Sequence, residues 1–144
     1  MVKSVRVRVP PIIHKKDTTM KIEEQVLSRE QMARLVELGV DTSDASMCWA
    51  GDDVVPNNGM ALDLGFDGIP TYTIGDLIEK LPRHIDGRHE TYLSIRSDEP
   101  FGDWCVCYES KWGVESNWFT SPNILTALCD CLCWVAENHK ELIK

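Results

Sequence analysis

No apolar run in this chain approaches the roughly 20 residues needed to cross a bilayer, so no membrane-spanning helix is expected. Basic residues are scarce as well. Fifteen Lys and Arg stand against 23 Asp and Glu, leaving a net charge of −8. Nucleic-acid binding depends on Lys and Arg neutralising phosphates, which disfavours that class. The catalytic signatures Gly-x-Ser-x-Gly, the Walker A loop, the Rossmann glycine fingerprint and His-Glu-x-x-His are all missing. Nothing in the residues therefore names a reaction, a cofactor or a metal. Internal repeats are missing too, so the 144 residues suit one domain that buries about two-thirds of its unfolded surface.

The charge that is present is unevenly placed. Residues 1–16 hold Lys3, Arg6, Arg8, Lys15 and Lys16 and no acid, a charge of +5, so the remainder carries −13. Val5, Val7 and Val9 alternate with Arg6 and Arg8, and Pro10-Pro11 then stops any helix or central strand. With no apolar core of signal-peptide length following, residues 1–19 read as a basic leader, flexible or an edge strand, ahead of a single domain at 20–144. The acidic body accommodates a partner with a basic surface. Six cysteines without an export signal point to the reducing cytoplasm. Cys105 and Cys107 share one side of a strand, and Cys129, Cys131 and Cys133 sit among apolar helix residues, so all six are expected unpaired, metal-free and packed as small hydrophobes.

Along the chain, Ser28 and Gln31 form a capping box, Leu27 can staple against Met32, and Gly39 ends the first helix. Met47-Cys48-Trp49 begins a strand. Asn57-Asn58-Gly59 predicts a hairpin turn, with Met60, Leu62, Leu64 and Phe66 forming one face of the returning strand. Thr73 caps a short helix carrying Ile74, Leu77, Ile78 and Leu81. Asp86-Gly87 then turns the chain into strands near 92–96 and 104–108, the second apolar on both faces and hence central. Ser121 as cap and Pro122 as first helical residue open the last helix, which is apolar over a wide arc. The order helix-strand-strand-helix-strand-strand-helix predicts an α+β fold, an antiparallel sheet covered by a long C-terminal helix. Whether the two strand pairs share a sheet is left open.

Six of the eleven aromatics fall between Phe101 and Phe119, and three of them sit in a segment of loop composition, residues 110–120. Trp112, Trp118 and Phe119, with Lys111, are the candidate binding residues, because Trp is favoured at binding hot spots. The same aromatics can instead plug back into the core. Trp112, between Lys111 and Gly113, is the one best placed for exposure. Other constellations have plainer explanations. His84, Asp86 and His89 match a two-histidine, one-carboxylate ligand set for a divalent metal, but they flank a turn in which Asp86-Gly87 explains the acid as a turn former, and Cys48 lies between Met47 and Trp49, a poor setting for a thiolate paired with His84 or His89. Asp52-Asp53 and Asp63 to Asp67-Gly68 lack the ligand spacing of a calcium loop.

The stretches 27–49 (LSREQMARLVELGVDTSDASMCW) and 70–82 (PTYTIGDLIEKLP), with the last helix around Cys129 to Asn138, resemble small uncharacterised proteins of gut bacterial genomes, phages and mobile elements. The resemblance covers most of the chain after Met20 and leaves residues 1–19 outside it. Its motifs are capping and core residues, so it implies a shared fold, a cytoplasmic accessory or host-interaction role, and no catalytic residue. The expected function is a non-enzymatic protein-interaction module of phage or mobile-element origin. A small-ligand-binding or sequestering protein with an aromatic pocket is the alternative, and an enzyme of unknown class comes third.

Overall fold

Ser28 accepts from the Gln31 amide at 3.1 Å while the Gln31 side chain accepts from the Ser28 amide at 2.9 Å, and this capping box starts α1 (Arg29–Glu37). Gly39, at φ +87°, follows its last turn. Leu27 and Met32 are both buried in the main core. The computed structural model describes residues 21–87, 89–98, 102–114 and 117–143. The expected leader at 1–19 and Phe101 lie outside the described residues.

The first strands differ from the sequence expectation. β1 (Met47–Ala50) and β2 (Asp53–Pro56) form a hairpin whose turn is Gly51-Asp52, so Asn57 to Gly59 is not the hairpin turn. The predicted strand through Met60 to Phe66 is instead a one-turn helix, α2 (Met60–Asp63). Gly59 adopts φ +95°, a left-handed conformation that turns the chain out of extended backbone. The Asp63 and Leu64 amides then donate to the carbonyls of Gly59 and Met60 at 3.1 and 3.0 Å. Ala61 is the side chain that this turn buries, against Cys48 and Ala50. β3 (Ile69–Thr71) returns beside β1, and the three-stranded antiparallel order is β2-β1-β3.

Thr73 caps α3 (Ile74–Lys80) as expected, accepting from the Asp76 amide at 3.1 Å. A separate five-stranded antiparallel sheet follows. It comprises β4 (His84–Ile85), β5 (Thr91–Asp98), β6 (Asp103–Ser110), β7 (Gly113–Val114) and β8 (Phe119–Ser121). β6 is its central strand, pairing with β5 on one side and with β7 and β8 on the other. The segment 110–120, read as loop, thus contains β7 and the start of β8.

α4 (Ile124–Asn138) is capped by Asn123, whose Oδ1 accepts from the Leu125 amide at 2.9 Å. Ser121 lies one step back and accepts from the Asn123 amide at 3.0 Å, so Ser121-Pro122 precedes the helix and does not begin it. Nine of the fifteen α4 residues are buried. The wide apolar arc follows from its place: α4 packs on β6 and β8, and α1 and α3 pack on α4. The fold is α+β, with the antiparallel sheet under its C-terminal helix as expected. Val106 and Tyr108 meet Leu128 and Leu132 in the core, and the Tyr108 hydroxyl donates to the Pro82 carbonyl at 2.8 Å.

Candidate interaction surfaces

Ser110 and Gly113 face each other across the β6–β7 hairpin, which leaves Lys111 and Trp112 as its two-residue tip. The Trp112 amide donates to Ser110 Oγ at 3.0 Å, holding the turn. Hairpin closure leaves the indole no core to enter, and Trp112 is 72% exposed. Lys111 lies over the ring with its Nζ 5.0 Å from the centroid. Trp118 immediately precedes β8 and is 59% exposed. Phe119 behaves differently. It is half-buried, 6.0 Å from the Trp134 ring on α4, and belongs to the packing under the helix. Both readings of residues 110–120 therefore apply, each to different residues: Phe119 plugs the core, while Trp112 and Trp118 face solvent.

A second set of apolar side chains is exposed where the sequence predicts a covered strand face. Leu62 and Leu64 are 68% and 58% exposed, and Met60, Phe66 and Ile69 are exposed beside them in sequence. Their alternation with Ala61, Asp63 and Gly65 reads as a strand with its apolar side inward. Once α2 is a single turn with only Ala61 buried, those same side chains point outward. Asp52, Asp53, Asp63 and Asp67 accompany them and are all exposed. Between Arg34 and Lys80 the chain has nine acids and no basic residue, a signal that was present in the sequence.

Phe66 connects this ridge to a groove. Its ring lies against Gly51, where an added Cβ would meet Phe66 Cε1 at 3.0 Å. The Gly51 carbonyl accepts from the Arg29 guanidinium, which also lies over the Trp49 ring at 5.3 Å. Trp49 is fixed in turn by its indole N–H, which donates to the Leu27 carbonyl at 3.1 Å. Arg29 then lines a groove of about 480 Å³ between α1 and β3, with Val36, Ile69 and Pro70 among its walls. Val36 is itself exposed.

The nucleophilic candidates gather nowhere. All six cysteines are free and buried. Cys48 belongs to the three-stranded sheet, where burial pushes its thiol up, while His84 belongs to the five-stranded sheet. Burial also raises Cys107, to about 11. Cys133 differs from these two, held below the usual thiol range by a hydrogen bond with Cys129. Of the turn residues, His84 and Asp86 do come together, but with Glu90 in place of His89.

No protein-family model matches the chain, and neither a curated protein nor a solved structure matches it.

Proposed function

We propose that the protein is a non-enzymatic interaction module that binds a protein partner presenting a basic amphipathic segment. The observation that carries this reading is the Met60–Ile69 surface, where five large apolar side chains stand in solvent among aspartates. A monomeric surface rarely leaves large contiguous apolar area uncovered without a partner for it. The acidic rim selects the partner's charge, since complementary potentials speed encounter and exclude like-charged competitors. Apolar side chains of the partner's segment fit along Leu62, Leu64 and Phe66, and its Lys or Arg residues meet Asp52, Asp53, Asp63 and Asp67. The exposed Trp112–Lys111 tip and Trp118 form a second contact patch. The resemblance to phage and mobile-element proteins makes a host protein the partner class, and six unpaired thiols suit the cytoplasm. Among the described residues no helix is long and apolar enough to cross a membrane.

The test is capture of a cross-linked partner by the immobilised chain, followed by affinity measurement with that purified partner. Leu62→Ser with Leu64→Ser is expected to weaken binding more than tenfold while leaving the thermal midpoint within 2–3 °C or so, because these side chains contribute little to the core. Affinity should also fall as salt is raised. Loss of affinity on Trp112→Ala, with the leucine variant unaffected, would move the site to the hairpin tip. A partner that binds the leucine variant and Trp112→Ala as tightly as the parent chain refutes both surfaces.

A further inference from the structure

We infer that the mouth of the β4–β5 hairpin is a binding site for a first-row divalent metal ion, of which zinc is the representative, held by His84, Asp86 and Glu90. The register of the hairpin produces the arrangement. His84 pairs with Tyr92 and Ile85 with Thr91, so the next pair outward sets Asp86 opposite Glu90. His84 and Asp86 are two residues apart on extended chain and therefore share a face. One donor atom from each of the three side chains lies within 4.8 Å of the other two. Zinc bonds of 2.0–2.2 Å place tetrahedral donors about 3.4 Å apart. All three side chains are exposed, so closing to that separation needs only a rotamer adjustment.

Two further observations favour an ion here. Among the described residues neither Asp86 nor Glu90 makes an ion pair, so both carboxylates are available to a cation. The second observation is support outside the donor set. The Tyr92 ring lies 6.0 Å from that of His84, and the neighbouring Glu90 carboxylate pushes the Tyr92 hydroxyl's pKa up, so one residue adjoins two of the three donors. The donor chemistry narrows the ion: imidazole with carboxylates suits zinc and its neighbours, whereas calcium and magnesium prefer oxygen alone. A cleft of about 450 Å³, lined by Arg83, His84, Asp86, His139 and Glu141, adjoins two of the three donors. The ligand set weighed in the sequence, and set aside there for a turn, had His89 as its third group. The cross-strand register brings Glu90 instead.

The experiment is calorimetric titration of the full chain with zinc chloride, repeated for His84→Ala and Glu90→Gln, with cobalt(II) as a spectroscopic substitute. One equivalent is expected to bind, each variant should weaken binding at least about tenfold, and Tyr92→Phe should weaken it measurably less. Thermal midpoints of the metal-free variants should match the parent, because the three side chains are exposed. The cobalt spectrum should lack a thiolate charge-transfer band. Absence of saturable binding overturns the site. So does binding that survives His84→Ala and Glu90→Gln, or a thiolate band, which would assign the ion to the cysteines.

Discussion

Lys80 on α3 places its ammonium 2.9 Å from the carboxylate of Asp44, in the loop before β1, and is only 3% exposed. The same Nζ donates to the Asp41 carbonyl at 2.8 Å, and the Tyr72 hydroxyl has the Asp41 carbonyl and Asp44 Oδ1 as alternative acceptors at 3.0 and 2.9 Å. Two buried donors thus converge on one loop. Removing the carboxylate leaves the ammonium short of an acceptor, whereas removing the ammonium leaves a half-exposed carboxylate that water can solvate. Asp44→Ala is therefore expected to destabilise the fold by about 1–3 kcal/mol, and Lys80→Met by less. Urea midpoints of the two variants check the order, and a larger loss in Lys80→Met would contradict this account.

The core prediction concerns Leu128, fully buried where α4 meets the sheet. Leu128→Ala removes apolar area and leaves a cavity that α1, α3 and β6 cannot close without moving. The expected cost is about 2–5 kcal/mol. A denaturant midpoint equal to that of the parent chain would place Leu128 outside the core.

What the sequence disclosed, and what it hid, divides along physical lines. Ser28, Gln31 and Thr73 act through contacts within three residues, so their capping roles were legible. The two-faced apolar strand Trp104–Tyr108 was legible as central for the same reason that α4 was legible as its cover: burial on every side leaves no polar face. Met60 to Phe66 was misread because a period-two apolar pattern does not say whether its apolar side is covered. Only the packing of Ala61 on Cys48 and Ala50 decides that, and it depends on contacts between distant parts of the chain. The separation of the two sheets was hidden likewise. At the candidate sites, Trp112 is exposed, as its flanks Lys111 and Gly113 indicate, while Phe119 is drawn inward by Trp134, a residue fifteen positions later on α4.

Stability at neutral pH should carry a small contribution from Glu109 that acid removes. Hydrogen bonds from Ser94 and Arg96 hold its carboxyl below the usual range, with the Arg96 guanidinium at 2.7 Å. A carboxylate with a depressed folded pKa stabilises the native state above its unfolded value, near 4.3. That contribution is lost as pH falls through the folded pKa. Both partners are partly exposed, so the amount is under about 1 kcal/mol. Glu109→Gln should lower stability at pH 7 by about that much. The difference from the parent should shrink progressively below about pH 4.3. Chemical denaturation at several pH values measures it, and a difference that grows toward low pH would reverse the assignment.

Gly68 and Gly59 flank the α2 ridge, and comparing them separates backbone strain from crowding. Both adopt positive φ, +73° and +95°, which an L side chain adopts at a cost of about 1–2 kcal/mol. Around Gly59 an added Cβ meets nothing within 4 Å, whereas at Gly68 it would stand 3.2 Å from the Cβ of Ala61. Ala61 is buried and has no rotamer through which to retreat, so α2 itself must shift. Gly68→Ala is expected to cost more than Gly59→Ala, with the excess appearing as coupling to Ala61. In a double-mutant cycle, Ala61→Gly should remove that excess and leave the backbone part intact. The same shift displaces Leu62 and Leu64, so Gly68→Ala should also weaken capture of a partner bound to the ridge, and Ala61→Gly should restore it. Equal unfolding free energies for the two glycine variants would show that α2 yields freely, and the ridge would then be no rigid docking surface.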